Sequence, residues 1–188
     1  MRPIQENNYK MKKQGFALYP FSVAGPLSSL IINGYILRFS NRITLNYNIT
    51  GLGGMLIPPP AEIKVRKNKL WEETCLELFL ADKIAPSYWE FNLSPSGCWN
   101  VYRYEAYRKG MKEEIVFSEL PFIVFRDDNA LKLCLEFDIS KIIRPALKLE
   151  AGICAVIKDT DGAIAYWALT HSGGKPDFHR RDSFIISL

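Results

Sequence analysis

Arg42-Ile43-Thr44-Leu45-Asn46-Tyr47-Asn48-Ile49-Thr50 alternates apolar and polar side chains over nine residues without a break. Ile43, Leu45, Tyr47 and Ile49 share one side, and Arg42, Thr44, Asn46 and Asn48 share the other. Successive side chains of a strand point to opposite faces, so this stretch predicts a half-buried β-strand with one polar face. Gly51 to Gly54 end it. Pro58-Pro59-Pro60 stop any resumption at Met55 to Ile57, because proline cannot donate to a ladder.

The same period recurs in both directions. Upstream, Gly15 to Phe21 and Leu30 to Ser40 are strand-like. Downstream, Thr74 to Ala81 carries Leu76, Leu78 and Leu80 on one face and Cys75, Glu77 and Phe79 on the other. Tyr88 to Leu93 sets Trp89, Phe91 and Leu93 against Tyr88, Glu90 and Asn92. Ser94-Pro95-Ser96-Gly97 is a strong turn before Trp99 to Tyr107, and the polar sides of these two strands predict a shared wet face. Phe122 to Phe125 and Leu131 to Asp138 read as a hairpin around Arg126 to Asn129. Ile139 to Arg144 reads as one helical turn, with Asp138 or Ser140 near its N-cap. Leu147 to Lys158 and Ala163 to Thr170 flank a turn at Asp159 to Gly162, and Phe184 to Leu188 is a last short strand. Ten or more short strands with turns between them, and almost no helical period, predict an all-β fold: an antiparallel β-sandwich, jelly-roll-like. Residues 1–14 read as a flexible polar arm and 15–188 as one domain, since no repeat, linker or change of composition divides the chain.

The chain has 188 residues, of which 48% are hydrophobic and 23% charged, enough for a core without staples. The net charge of +4 arises partly at Lys10, Lys12 and Lys13 and around Lys64, Arg66, Lys67 and Lys69. Such short runs are solvated faces, and no nucleic-acid partner is expected. No run approaches the roughly 18 apolar residues of a membrane span, and the polar N-terminus contains no stretch of signal-peptide type. Cys75, Cys98, Cys134 and Cys154 form no CxxC pair, and three of them fall in apolar runs as buried free thiols. A reducing compartment and a cytoplasmic location are the expectation.

Aromatic residues make up 13% of the chain, with nine Tyr and four Trp. Three aromatic-bearing blocks are Leu70-Trp71-Glu72-Glu73-Thr74-Cys75-Leu76-Glu77-Leu78-Phe79-Leu80, Tyr88-Trp89-Glu90-Phe91-Asn92-Leu93-Ser94-Pro95-Ser96-Gly97-Cys98-Trp99-Asn100, and Tyr166-Trp167-Ala168-Leu169 with its following loop. Together they resemble a DOMON-like domain related to the family 9 carbohydrate-binding modules. The resemblance implies a β-sandwich that grips a sugar at a chain end between two tryptophans, with polar side chains on its hydroxyls. It implies clamp roles for Trp71 and Trp167, the role of a buried hydroxyl-reading carboxylate for Glu77, and Arg103 as that carboxylate's candidate partner. The loop after Trp167, with His171, Lys175, Pro176, Asp177 and His179, differs from that of the sugar-binding members.

A sugar site needs flat apolar faces against the ring and charged or amide groups in its plane. Trp71, Glu77, Arg103, Trp167 and His171 are the candidate ligand-binding residues, and a small saccharide or another polar small molecule is the expected partner. Alternatives stand beside this set. Both tryptophans suit a core, and Glu77 suits an ion pair with Arg103 or another base. Met55 or Met111 with His171 could hold haem, and His171, His179 and Asp177 could hold a metal ion, though no cofactor or metal is expected. Asp159-x-Asp161-Gly162 fits a hairpin turn better than a calcium loop. Glu72-Glu73 and Asp127-Asp128 diverge as sequence neighbours, and neither a nucleophile elbow nor a phosphate loop occurs. The residues therefore supply no positive case for an enzyme. A sugar-modifying hydrolase using Glu77 and His171 is a further alternative.

Overall fold

The computed structural model describes residues 11–22, 25–144 and 147–188. The alternating stretch is a strand, and its partners follow the same two-residue rule. In chain order the strands are β1 (Lys12–Pro20), β2 (Ile31–Phe39), β3 (Arg42–Thr50), β4 (Cys75–Asp82), β5 (Tyr88–Leu93) and β6 (Trp99–Tyr104). They continue with β7 (Lys112–Glu113), β8 (Phe122–Arg126), β9 (Ala130–Asp138), β10 (Leu149–Lys158), β11 (Ile164–Ala168) and β12 (Ile186–Ser187). All pairings between them are antiparallel, in the order β7-β6-β5-β4-β10-β11-β1-β2-β3-β9-β8, with β12 beside β10. The fold is thus all-β, as expected. Among the described residues no helix is long and apolar enough to cross a membrane.

One path of eleven strands, with β12 beside it, becomes two layers because β1 changes partners. Lys12 to Leu18 pair with β2, whereas Tyr19 and Pro20 pair with Ala168 and Trp167 of β11. The strand begins at Lys12, inside the arm expected over residues 1–14, whose first ten residues lie outside the described ones. Edge pairing uses backbone groups and does not require an apolar side chain. Lys13 faces Leu37 in the ladder and lays its ammonium 4.0 Å from the centre of the Tyr35 ring.

The core lies between the layers. Ile43, Leu45, Tyr47 and Ile49 of β3 and Leu131, Leu133 and Leu135 of β9 meet Leu76, Leu78 and Leu80 of β4 and Ile153 of β10. Phe91 and Phe137 meet across it with ring centres 4.7 Å apart. Tyr47 is fully buried, and its hydroxyl donates to the Glu77 carbonyl at 2.7 Å while lying 3.1 Å from the Cys154 carbonyl. A side chain of one layer is thereby bonded to the central backbone of the other. The turns follow their sequence signals. Asp138 caps the short 3₁₀ turn Ile139–Lys141, and Asp159 Oδ1 accepts from the backbone nitrogens of Asp161 and Ala163.

One expectation fails in an informative way. The polar sides of β5 and β6 do not share a face, since Glu90 lies opposite Tyr102 and Arg103 opposite Trp89, and the side that carries Glu90 is not wet: every residue of β5 is buried. That face points away from the inter-layer core and is roofed by two irregular segments, residues 58–72 and 171–185. A second apolar cluster beneath the roof contains Phe79, Tyr88, Tyr102, Tyr104 and Phe184, with Trp71 and Phe178 packed on it. Gly152 makes the C-terminal roof fit, since a Cβ there would come within 2.8 Å of the Phe184 ring.

Replacing Tyr47 by Phe leaves the ring in place and removes the cross-layer donor. The expected cost is about 1–3 kcal/mol. It should appear as a lower urea midpoint with an unchanged slope. An unchanged midpoint would show that this hydrogen bond contributes nothing to holding the layers together.

Candidate functional site

Strand parity sorts the candidate residues before any other feature does. Glu77 lies opposite Cys154, which lies opposite Ala168. Leu76 lies opposite Ala155, which lies opposite Trp167. Directly paired residues share a face, so Glu77 points to the roofed face and Trp167 into the inter-layer core. Trp167 is 4% exposed there, and its indole nitrogen has no hydrogen-bond partner among the described residues. Arg103 pairs with Trp89, a core residue, and lies exposed at that strand's edge with its guanidinium 5.6 Å from the Trp89 ring. His171 lies beyond the end of β11. Its Nε2 is 2.8 Å from the Tyr19 carbonyl oxygen and its ring meets Phe21 edge-on. The structure brings Trp71 and Glu77 to one place and puts Trp167, Arg103 and His171 elsewhere.

That place is a cleft of about 480 Å³ between the two roofing segments. Its floor is Glu77 of β4, Glu90 of β5 and Val156 of β10; Trp71, Tyr104, Tyr166 and Phe178 supply aromatic walls; Arg108, Lys175 and Asp177 stand at its rim, and His179 closes one side. Met111 also lines it, away from His171.

Each roofing segment is tied down by polar contacts. Arg66 donates to Asn100 Oδ1 at 2.6 Å and to the carbonyls of Glu114 and Phe117 at 3.0 and 2.6 Å. Its guanidinium also lies 4.4 Å from the Trp99 ring centre. Lys69 then takes a left-handed conformation (φ 61°) that starts the 3₁₀ turn Leu70–Glu72. Leu70 is buried and Trp71 meets Tyr102 edge-on at 5.7 Å. On the other side, Arg181 donates to Glu150 at 3.1 Å and to the carbonyls of Ala85 and Asp82. Arg108 binds Asp177 Oδ1 through Nη2 at 2.8 Å and Nε at 3.2 Å. Tyr88 shares a 2.8 Å hydrogen bond with His179 Nδ1 and stacks on Tyr104, 4.8 Å away.

The electrostatics of the floor follow from burial. Glu77 is 3% exposed and Glu90 4%. Desolvation pushes the Glu77 carboxyl well above the usual carboxylate range. The charge of Glu90 pushes the same way, against a weak pull from the Cys154 thiol 3.5 Å from Oε2. Desolvation also raises Glu90, opposed by the Asn92 amide, the nearby Tyr104 hydroxyl and the Arg108 charge. Asn92 donates to Glu90 Oε1 at 2.7 Å, while Oε2 has no hydrogen-bond partner among the described residues. Burial pushes the His179 imidazole down to about 4 and the Tyr88 phenol up to about 12. The site therefore offers carboxyls that accept or donate hydrogen bonds beneath flat aromatic faces, with a charged pair at the rim.

Neither a scan against protein-family models nor a search of curated proteins gives a match. Solved structures do. A protein of Bacteroides uniformis to which carbohydrate binding has been ascribed matches with a TM-score of 0.67 at 12% identity, over 88% of this chain and 83% of its own. A family 9 carbohydrate-binding module of Caldicellulosiruptor kristjanssonii, solved with cellotriose, matches with a TM-score of 0.50 at 9% identity, over 89% of this chain and 76% of its own. These likenesses establish a shared fold.

Several residues of the cleft were absent from the set proposed on sequence: Glu90, Tyr104, Arg108, Tyr166, Asp177, Phe178 and His179. Parity could have supplied two of them. Glu90 sits on the polar side of its strand, and Tyr166 is the neighbour of Trp167 with the opposite orientation. Nothing in the local pattern of residues 104–111 or 175–179 indicates that these loops meet.

The buried groups act on stability with opposite signs. The folded protein keeps the Glu77 and Glu90 protons at pH values where the unfolded chain has released them. This contribution is full below the ordinary glutamate value and is lost as pH rises through the raised one. For His179 the unfolded chain binds its proton first, so stability falls as pH drops from about 6.5 to about 4. Glu77→Gln should flatten the first loss and His179→Asn the second, read from urea midpoints across that range. Superimposable pH profiles for wild type and both variants would remove these groups from the balance.

Proposed function

We propose that the chain is a DOMON-like, non-catalytic module that holds a small saccharide in the cleft beneath Trp71. The observation that carries this is the pairing of aromatic walls with two buried carboxyls on one sheet face. Aromatic faces cover the C–H surface of a sugar ring, and carboxyls below them bond its hydroxyls. The volume suits one or two sugar rings, and small-molecule sites commonly have this mix of apolar wall and few polar groups. The fold shared with a module solved with cellotriose adds support at the level of architecture.

The residue roles in this proposal differ from the two-tryptophan clamp. Trp71 keeps a wall position and Glu77 the floor. Tyr166 and Phe178, whose rings meet edge-on at 5.8 Å, take the wall role for which Trp167 is turned the wrong way. Glu90 and the Arg108–Asp177 pair take the polar roles expected of Arg103 and His171.

A hydrolytic reading rests on the same two carboxyls, because paired carboxyl groups of unlike acidity are the device of glycoside hydrolysis. Release of monosaccharide from cello-oligosaccharides, abolished by Glu77→Gln or Glu90→Gln, would establish it.

Binding is tested by intrinsic tryptophan fluorescence and calorimetry against mono- and disaccharides. Trp71→Ala should weaken binding by at least about tenfold, the scale of losing one aromatic contact. Trp167→Phe should lower stability and leave affinity within about twofold. Saturable binding that survives Trp71→Ala, or no binding to any saccharide, would refute the proposal.

A further inference from the structure

We propose that the cleft selects an amino sugar, a saccharide carrying a free amine, and seats the ammonium on Glu90 Oε2 above Glu77. This rests on the saccharide-binding reading and names the ligand class for the same site. Glu90 Oε2 is the starting point: a carboxyl oxygen on a side chain 5% exposed, in the floor of an open cleft, with no hydrogen-bond partner among the described residues. Leaving such an acceptor unbonded is costly, so the site is built for a donor that arrives from outside.

The charges around it favour a cationic donor over a neutral one. Glu90 and Glu77 come from adjacent strands: Glu77 pairs with Asn92, two residues from Glu90 on the same face. The other titratable groups around them are the Cys154 thiol from β10, the Cys75 thiol from β4, the Tyr88, Tyr102 and Tyr104 hydroxyls from β5 and β6, and the Tyr47 hydroxyl from the core side, none of which brings a positive charge. From the roof, Arg108 is engaged by Asp177 in a two-point contact. His179 Nδ1 is occupied by Tyr88, and its Nε2 stops 3.9 Å from Glu90 Oε2, beyond hydrogen-bond reach. Lys175 is exposed at the rim. The two carboxyls therefore lack a cation in direct contact, and the walls around them are π-faces.

An ammonium satisfies both conditions together. It donates to Oε2, offsets the two acidic groups, and sits beside the aromatic rings of Trp71 and Tyr166. A sugar hydroxyl at the same position donates as well but leaves the carboxyl charge uncompensated. Burial disfavours the charged form of both carboxyls, and an ammonium seated on Oε2 favours it.

The test uses three β-1,4-linked dimers that differ only at C2: the glucosamine dimer, its N-acetylated counterpart and cellobiose. Calorimetry on the full chain near pH 6.5 should rank the free amine first, at least about tenfold tighter than cellobiose, the scale of one charge-assisted hydrogen bond. Its advantage over cellobiose should disappear at a pH high enough to deprotonate the free amine. Glu90→Gln should bring the amine-to-hydroxyl ratio within about threefold. Cellobiose binding as tightly as the amine, or a preference that survives Glu90→Gln, overturns the amino-sugar inference and leaves the saccharide site standing. No binding of any of the three overturns the saccharide site itself. If Glu90→Gln fails to fold, the wild-type ranking and its loss on deprotonation of the amine decide the matter.

Discussion

The hydroxyl of Tyr47 crosses the sandwich and ends on the carbonyls of Glu77 and Cys154. These two residues face each other in the centre of one layer, and their side chains point to its far side. A contact that fastens the layers thus also fixes the backbone from which the floor of the cleft projects. The donor lies on the most regularly alternating strand in the chain, and a one-residue slip of that strand would turn Tyr47 to solvent. Register, core and site floor are in this way consequences of one pattern.

Strand β4 is buried on both of its faces. Its inward leucines are covered by the opposite layer, and its outward Cys75, Glu77 and Phe79 by segments without regular structure. Covering a sheet face with loops requires that the loops be anchored, and here arginines do it. Arg66 and Arg181 donate to backbone carbonyls that loops leave unpaired, while Arg108 fixes Asp177. A forked, always-charged side chain suits this role because it satisfies several acceptors from one position. The roof stops short over the carboxyls, and the opening is the cleft. Two carboxyls are held there against the preference of their ionised forms for water, an arrangement that favours a ligand able to replace that solvation.

Many of the strand positions could be read from alternation and turn residues alone. β3 and β5 occupy the stretches their patterns predict, and the hairpin around Asp127 and the turn at Asp159 follow from Asx chemistry. The candidate site was legible only in part. Trp71 and Glu77 stand in the cleft, and the clamp partner expected at Trp167 is in the core one residue away from the side chain that does face it, Tyr166. In a strand that single position is a change of face, and an aromatic pair such as Tyr166-Trp167 carries no local signal of which ring is turned inward.

By itself, then, the sequence determined most of the strands and turns and the assignment of Glu77 and Glu90 to the face opposite the apolar residues of their strands, because a period of two is a local property of the chain. Tertiary structure decided that this face is roofed and not wet, that Trp167 is core, and that Arg108, Asp177 and His179 meet above the carboxyls. Those outcomes depend on which distant segments pack on the sheet. That is settled by long-range burial and by the arginine anchors, and neither leaves a periodic trace in the residues themselves.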